Sequence, residues 1–245
     1  MIFAHPGHEL LVLSAVRRTA PLVAIISDGS GSTGLSRIAY SNRILQMAGA
    51  TRSSLFGRYS DKACYDFIRR IDPKPFVKMR DSLVDECLAL GIEQIVSDAC
   101  EYYNPVHDIA SYIADGVTRR LRSKSKRSVH RFAIPIAPPD GSKRTGQTNK
   151  KMFPLGQTQE DAGFKLNALA VYEPLANEIR NAKTQEGEAY LQENLSEHEP
   201  IVRPDESLVF EPSYERVGRE RIAADIYSDL ITYEDHIKPI AKEIL

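Results

Sequence analysis

Leu22-Val-Ala-Ile-Ile-Ser27 is an unbroken apolar run that ends at Asp28-Gly29, and it decides the fold class. A strand that is apolar on both of its faces is typical of a parallel sheet covered by helices on both sides. Shorter strand-like runs and amphipathic segments alternate along the chain around it. The predicted strands are 2–4, 22–27, 54–56, 92–96 and 131–136, and the predicted helices are 9–19, 36–48, 76–90 and 107–121. The pattern predicts an α/β, three-layer αβα, Rossmann-like fold whose mostly parallel sheet has its active site at the C-terminal strand edge.

Composition and charge narrow the classes of protein. The chain has 245 residues and a formal net charge of −1, which favours a small-molecule or glycan substrate and predicts no nucleic-acid partner. No apolar run approaches the ~20 residues of a membrane-spanning helix, and no signal peptide is recognisable before the first strand. The 3 cysteines lie in periodic segments, which is typical of reduced thiols in a cytoplasmic protein.

The second half of the chain is less regular. Pro138–Gly163 is rich in proline and glycine, and such a long connection is typical either of a lid over the site or of a plain crossover between layers. We predict a helix over Lys165–Ala182, a solvated acidic helix over Glu186–Glu199 and a helical tail over Glu215–Leu245. No linker separates two cores, so we expect a single domain over 1–245. Its helical C-terminal extension, from about residue 200, either packs on the domain or forms a homo-oligomer contact.

Three of the 6 histidines follow predicted strands. His5 and His8 come directly after the first strand, and His107 follows the strand over 92–96. Two imidazoles on one turn can reach the same cation, and three protein ligands with an open fourth position are typical of a catalytic zinc site. The same histidines are also typical of hydrogen-bonding turn and cap residues. The spacing therefore leaves two interpretations, of which one is a single zinc ion per chain held by these three residues.

The first turn carries a resemblance to a known family. Phe3-Ala4-His5-Pro6-Gly7-His8-Glu9 resembles the Ala-His-Pro-Asp-Asp-Glu signature of the LmbE/PIG-L family, the zinc-dependent N-acetylglucosaminyl deacetylase-like hydrolases. Other segments resemble the family's motifs in the family's order, over roughly residues 1–175. These segments are Ile26-Ser27-Asp28-Gly29, Arg37, Asn104-Pro105-Val106-His107 and Lys165-Leu-Asn-Ala168-Leu-Ala-Val-Tyr172.

The resemblance implies an activity and a set of site residues. It implies a zinc-dependent deacetylase or amidohydrolase in which metal-bound water attacks the amide carbonyl of an N-acyl amino sugar, in glycan or glycoconjugate metabolism. It places His5, His8 and His107 on the zinc ion. The residues expected to contact the substrate are Asp28, Gly29, Arg37, Glu101, Asn104, Lys165 and Tyr172. Of these, Glu101 and Asn104 are also typical turn residues, and Tyr102, Tyr103 and Tyr172 either stack on a sugar ring or pack in the core and at its rim.

The chain departs from the family at the general base. The family's first Asp is the base and its second Asp is a zinc ligand, whereas this chain has Gly7 and His8 there. His8 keeps a metal ligand, but Gly7 has no side chain to accept a proton. Asp108 and Glu9 are the nearest catalytic candidates by sequence, with Asp28 as a third. Asp108 and Glu9 also have a structural interpretation, because a carboxylate in the first turn of a helix stabilises the helix through its dipole. The alternative function is therefore a catalytically altered or inactive family member that binds a glycan or another ligand.

A glycine loop suggests a less favoured function. Gly29-Ser-Gly31-Ser-Thr-Gly34 matches the G-x-G-x-x-G pattern of dinucleotide-binding proteins, and Arg58 beyond the next strand suits a ribose 2′-phosphate. That interpretation predicts an NADP-dependent oxidoreductase. The acidic residue expected about 20 residues further on is missing, and Asp28 would place a carboxylate beside the pyrophosphate. The hydrolase therefore remains the preferred interpretation.

Overall fold

The computed structural model describes residues 1–125, 127–136, 152–175, 193–197 and 208–245. It confirms the α/β prediction, since a mostly parallel sheet lies between helices on its two faces. The strands are β1 (Ile2–Phe3), β2 (Leu22–Ser27), β3 (Thr51–Tyr59), β4 (Gln94–Asp98), β5 (His130–Ile134), β6 (Met152–Pro154) and β7 (Asn194–Glu197). The helices are α1 (Leu13–Thr19), α2 (Ile38–Met47), α3 (Asp61–Arg69), α4 (Lys74–Leu90), α5 (Pro105–Ser125), α6 (Gln159–Val171), α7 (Ser213–Ala223) and α8 (Lys238–Ile244). There are also short 3-10 turns at His8–Val12, Gly31–Thr33 and Glu173–Leu175, and a π turn at Tyr233–Ile237.

The order of the strands shows where a ligand site is expected. Across the described strands the order is β3-β2-β1-β4-β5-β7-β6. The strands β1 to β5 pair in parallel, and β7 and β6 extend the sheet with antiparallel pairs. The chain builds outward from β1 to β3 and then returns to place β4 on the other side of β1. Sheets of this kind bind ligands in the crevice where the strand order reverses, which here is the carboxyl end of β1 and β4.

The apolar character of β2 follows from burial on both of its faces. Ala24 and Ile26 pack in a core with residues of α4, α5 and α8. Val23 and Ile25 point to the opposite face and pack with residues of α1, α2 and α6. Each of the buried valine and isoleucine side chains contributes about 1.5–3 kcal/mol to folding, so burial favours apolar residues on both faces of the strand.

The C-terminal segment belongs to the first of these two cores. Tyr233, Ile237 and Ile240 are buried there, and Arg80 of α4 donates a hydrogen bond to the carbonyl of Ile244 at 2.6 Å. The described part of the extension therefore packs on the domain. In the described ranges, no helix is both long enough and apolar enough to cross a membrane.

Two strands and one helix of the first half differ from the prediction. The strand expected over 54–56 runs over Thr51–Tyr59, because its position at the sheet edge allows exposed polar residues that weaken the apolar signal. The strand expected over 92–96 lies two residues further on, at Gln94–Asp98, so that Asp98 ends it. The helix α3 was not predicted, although its buried residues Cys64 and Ile68 stand four positions apart, at helical spacing.

Predictions for the second half were less accurate. The helix expected over 165–182 begins earlier, at Gln159, and ends at Val171, and Pro174 disfavours helical backbone in the residue before it. Residues 176–182 of the expected helix lie outside the described part of the chain. The acidic helix expected over 186–199 is wrong over 194–197, where β7 pairs with β5 and β6. Residues 186–192 and 198–199 lie outside the described part of the chain. The tail expected over 215–245 is two helices separated by non-helical residues. Of the proposed lid, 138–151 lie outside the described residues, while the remainder includes β6 and the first turn of α6.

Candidate metal centre

Three histidine rings meet at the carboxyl ends of β1 and β4. His5 and His8 follow β1, and His107 lies in the first turn of α5, which follows β4. The ring centres are 5.4 Å apart for His5 and His8, 5.0 Å for His5 and His107, and 4.7 Å for His8 and His107. Since His5 is 8% exposed and His107 is 6% exposed, the cluster is nearly buried. The structure thus brings together the three residues that the sequence predicts as zinc ligands.

The spacing of the rings suits three imidazoles around one metal ion. Zinc binds histidine nitrogens at about 2.0–2.1 Å in a tetrahedral arrangement, which puts the ring centres about 5 Å apart. In the described part of the chain, however, no group of three His, Cys, Asp or Glu side chains is placed so that it could hold a metal ion. The distances between the ring centres are therefore those of a metal centre, whereas the placement of the ring nitrogens is not.

The ends of β2 and α3 hold His5 in a single orientation. Its Nδ1 lies 2.8 Å from Ser27 Oγ and 3.1 Å from Asp61 Oδ1. Ser27 donates its own hydroxyl hydrogen to the carbonyl of Ala4 at 3.0 Å, so Ser27 Oγ can only accept a hydrogen bond from His5. The proton of the His5 ring therefore lies on Nδ1, and Nε2 carries the lone pair. Burial lowers the pKa of His5 despite the neighbouring Asp61. The ring is then neutral at neutral pH, which is the form that binds a metal.

Asp61 is the ionised partner of this pair. Burial opposes its ionisation, but the hydrogen bond and charge interaction with His5 and the hydrogen bond from the Gly31 amide outweigh burial and hold its pKa below the usual range. The contact is therefore one between a neutral imidazole that donates and a carboxylate that accepts. Such a carboxylate fixes the ring and raises the basicity of its other nitrogen.

Asp98 orients His8 in the same way. Its Oδ2 accepts hydrogen bonds from His8 Nδ1 and from the Ala4 N–H, each at 2.8 Å. The Asp98 side chain is fully buried, and its Oδ1 has no hydrogen-bond partner among the described residues. The proton of His8 therefore lies on Nδ1 as well, and its Nε2 is left as an acceptor.

His107 completes the cluster without a carboxylate behind it. Pro105 begins α5 without needing a backbone donor, and Asn104 Oδ1 accepts the Val106 N–H at 2.8 Å just before His107. Burial lowers the pKa of His107 well below its ordinary value, and the other two histidine rings lower it further. The described residues offer its ring no hydrogen-bond partner. His107 is therefore a neutral ring whose lone pair is available.

Glu9, a predicted catalytic residue, lies behind the histidine turn. Its carboxylate accepts the Gly7 N–H at 2.8 Å and a hydrogen bond from the Ser41 hydroxyl. The side chain is fully buried, and burial raises its pKa although both hydrogen bonds lower it. These contacts hold the backbone between His5 and His8, which is the structural role that a helix start also suggests.

The backbone at Gly7 is suited to glycine. Its φ is +105°, a region that residues with a side chain rarely adopt. A Cβ at this position would lie 2.9 Å from Leu175 Cδ1 and 3.5 Å from the Tyr172 hydroxyl. The turn therefore does not accept an aspartate at position 7 without rearrangement, because both the backbone conformation and the neighbouring side chains disfavour a side chain there.

Asp108, the other predicted catalytic residue, supports the turn before α5. Its Oδ1 accepts the N–H groups of Glu101 and Tyr102 at 3.2 and 3.1 Å. Burial raises the pKa of Asp108 to about 7, against the hydrogen bonds from Tyr102 and Cys100. The side chain is 0% exposed, so these contacts place it in the protein interior beside the turn.

Three predicted substrate residues build the loop after β2. Asp28 Oδ1 accepts the Asp61 N–H at 3.2 Å, and Arg37 Nε donates to the carbonyl of Gly29 at 2.8 Å. A Cβ at Gly29 would lie 2.7 Å from Arg37 Nε and 2.8 Å from Pro6 Cδ. The loop thus lies directly against the histidine turn, and it places Arg37 beside that turn.

Backbone amides of the Gly29–Gly34 loop, which a pyrophosphate would need as donors, are already hydrogen-bonded to carboxylates of the protein. Asp28 accepts the Ser30 N–H and Asp61 accepts the Gly31 N–H. A 3-10 turn follows, and α2 starts only at Ile38. Dinucleotide loops lead directly into a helix whose N-terminus binds the pyrophosphate, and two carboxylates would repel such a ligand. The geometry therefore disfavours the NADP interpretation.

Glu101 and Asn104 both stabilise the connection around α5. Glu101 Oε2 accepts the Ile136 N–H at 2.7 Å, which ties this connection to the chain beyond β5. Asn104 accepts the Val106 N–H at the helix start. The structure therefore gives both residues the turn-building role that the sequence leaves open beside substrate contact.

Lys165 and Tyr172 anchor α6 behind the site. Lys165 is 1% exposed and donates to Glu193 Oε1 at 3.0 Å, and Glu193 also accepts the Ser14 N–H. Burial lowers the pKa of Lys165 against the attraction of Glu193. Tyr172 is fully buried, with its hydroxyl 3.3 Å from Ser41 Oγ. The structure does not bring Lys165 to the histidine cluster.

Sequence analysis missed the two carboxylates that orient His5 and His8. Asp98 ends β4 and Asp61 begins the helix after β3, so both stand at the edge where a parallel sheet collects its functional groups. The predicted strands ended at 96 and 56, which left both aspartates outside the positions considered. A search for acidic residues just beyond each strand would have found them.

Comparison of the chain with protein-family models, with curated proteins and with solved structures found no match.

Proposed function

We propose that this chain is a zinc-dependent hydrolase that cleaves the amide C–N bond of an N-acyl amino sugar. The observation that carries the proposal is the cluster of His5, His8 and His107, with ring centres 4.7 to 5.4 Å apart. The donor set supports zinc, since imidazole is among its preferred ligands. The resemblance of the first turn to the LmbE/PIG-L signature supports the reaction and the class of substrate.

The hydrogen bonds favour a ligand-binding role for the rings over simple packing. His5 and His8 each use Nδ1 on a carboxylate, so two Nε2 lone pairs remain, and the ring of His107 adds a third. One cation among the three rings would satisfy all of these acceptors.

The chain's own residues would hold and orient this centre. A zinc ion bound here supplies a Lewis acid that polarises a carbonyl oxygen and acidifies water. Asp61 and Asp98 hold two of the rings from behind, while Glu9 fixes the Gly7 amide and so the path of the turn. Position 7 supplies no base, and loss of a general base typically costs 10²–10⁴-fold in rate. We therefore expect slower turnover than from a site with an aspartate there.

The lack of a base at position 7 also favours a second candidate function, that of a metal-dependent glycan-binding protein without hydrolysis. Glu9 and Asp108 are both 0% exposed and bound to backbone amides. Asp61 and Asp98 are each engaged by a histidine. All four carboxylates are therefore buried and engaged through at least one oxygen, and the oxygens left without a partner, Asp98 Oδ1 and Asp108 Oδ2, are buried as well.

Metal analysis tests the centre itself. Zinc is measured in the purified protein, in His5→Ala and His107→Ala, and in His130→Ala as a control on an exposed histidine at the start of β5. We expect one zinc per chain in the unsubstituted protein and in the control, and loss of zinc from the other two variants. Full retention of zinc in both His5→Ala and His107→Ala would overturn the proposed centre.

An amine-release assay separates the two functions. Zinc-loaded protein is incubated with N-acetylglucosamine and its glycosides, and free amine is measured. Release that is lost in His107→Ala supports the hydrolase. Binding of these sugars without any release supports the second function.

A further inference from the structure

The turn between β4 and α5 holds an aromatic residue in an unfavourable backbone conformation. Tyr102 has a φ of +55°, which bulky residues rarely adopt. Its N–H donates to Asp108 Oδ1 at 3.1 Å, and its carbonyl accepts the Ser213 N–H at 2.8 Å. Its ring packs edge-on against Phe210 and Tyr233, at centre distances of 5.1 and 5.7 Å. Strain of this kind persists only where the surroundings impose it, and it is concentrated at functional sites.

The consequence of this turn is the position of the next residue, Tyr103. Tyr102 is 9% exposed, whereas Tyr103 is 44% exposed. The ring centre of Tyr103 lies 6.2 Å from that of His107, with the two ring planes inclined by 44°. Within the described ranges, its side chain makes no hydrogen bond. An aromatic ring with exposed surface thus stands directly beside the histidine cluster.

We propose that Tyr103 is the sugar-binding platform of this site, on which the apolar C–H face of a pyranose ring packs. The inference rests on the proposed function, because it takes the histidine cluster as the reacting end of the site. Packed rings have centres about 4.5–7 Å apart, so a ring on Tyr103 keeps its N-acyl substituent within reach of His107. Binding sites commonly combine such an aromatic surface with a few convergent polar groups.

The chain offers a matched control in Tyr227. Tyr227 is 47% exposed, close to the exposure of Tyr103. It lies near Tyr65, whose pKa it helps to raise, although burial of Tyr65 is the main cause of that rise. It belongs to the C-terminal segment between α7 and α8 and has no ring contact with the three histidines. A general effect of removing an exposed tyrosine should therefore appear equally in Tyr103→Ala and Tyr227→Ala.

The test measures binding of N-acetylglucosamine to the zinc-treated full chain by NMR titration, so that no turnover is needed. Tyr103→Ala should raise the Kd about 3- to 10-fold, the range expected from loss of a ring-packing contact. Tyr103→Phe keeps the ring and should stay within about twofold of the unsubstituted protein. Tyr227→Ala should bind unchanged. Zinc content and thermal unfolding are measured on every variant to show that centre and fold are intact.

The outcomes distinguish this inference from the proposed function. Equal affinity in Tyr103→Ala and the unsubstituted protein overturns the platform, as does a loss in Tyr103→Phe as large as that in Tyr103→Ala. Failure of the zinc-loaded protein to bind the sugar also overturns it. If the chain holds no zinc but binds the sugar through Tyr103, the proposed hydrolase fails and the platform stands.

Discussion

Replacing Asp98 by asparagine tests how the structure orients its histidines. One oxygen of this fully buried side chain accepts hydrogen bonds from both His8 Nδ1 and the Ala4 N–H, each at 2.8 Å. Asparagine has nearly the same size and keeps one acceptor oxygen, but it carries no charge. The substitution therefore weakens the support of His8 while leaving the end of β4 filled.

The expected magnitude follows from the role of a carboxylate behind a metal-binding histidine. Loss of such a partner typically lowers metal affinity by 10–100-fold, which corresponds to about 1.4–2.8 kcal/mol. A hydrogen bond to a charged group contributes about 1.5–3 kcal/mol and a neutral one about 1 kcal/mol, so the metal-free protein should lose only about 1 kcal/mol of unfolding free energy. Zinc affinity should therefore fall more than stability does.

Competition with a chromogenic chelator measures the zinc affinity, and urea unfolding measures the stability. Asp85→Asn removes the same charge from an exposed position on α4 and serves as the control. Zinc affinity in Asp98→Asn within twofold of the unsubstituted protein would refute the reasoning. An equal loss in Asp85→Asn would assign the effect to net charge.

Three other substitutions or ligands test further parts of the structure. Gly7→Asp should lower the unfolding free energy by about 1–3 kcal/mol, because φ at this position is +105°. Adding Leu175→Ala should relieve the crowding of the new side chain but not the backbone strain. Urea midpoints measure both effects, and an unchanged midpoint in Gly7→Asp would contradict this expectation. Lys165→Met should cost about 3–5 kcal/mol, because Glu193 is then a buried carboxylate without its cation. Adding Glu193→Gln should restore part of that stability in the same assay, and no recovery would show that the ion pair is not the cause. NADP should leave the thermal midpoint unchanged, because carboxylates already bind amides of the Gly29–Gly34 loop, and a clear rise would favour the oxidoreductase.

The accuracy of the fold prediction follows from how locally each element is encoded. The predicted and observed bounds of β2 agree, because a strand buried on both faces is apolar over nearly all of its length. Thr51–Tyr59 is harder to predict, since this strand lies at the edge of the sheet and exposes much of its length. Asn194–Glu197 carries no apolar strand pattern, and its pairing with β5 and β6 outweighs the local acidic sequence. Only the assembled sheet supplies that energy.

The candidate site was also predictable only in part. A sequence shows that His5, His8 and His107 follow strands, and parallel strands gather such residues at one edge. It does not show the partners of these rings, because Asp61 and Asp98 lie 56 and 90 residues from the histidines they contact. Strand order and register decide those contacts.

The roles of the remaining residues also depend on packing. Glu9 and Asp108 are plausible bases in a linear sequence, yet their carboxylates turn inward and bind backbone amides. The strained Tyr102 leaves no signal in the sequence, because its conformation is imposed by chain segments that are distant along it. Local patterning thus determined the layers of this protein and the histidines at their edge. The tertiary structure alone decided which groups face the crevice, because hydrogen bonding and burial act between residues far apart in the chain.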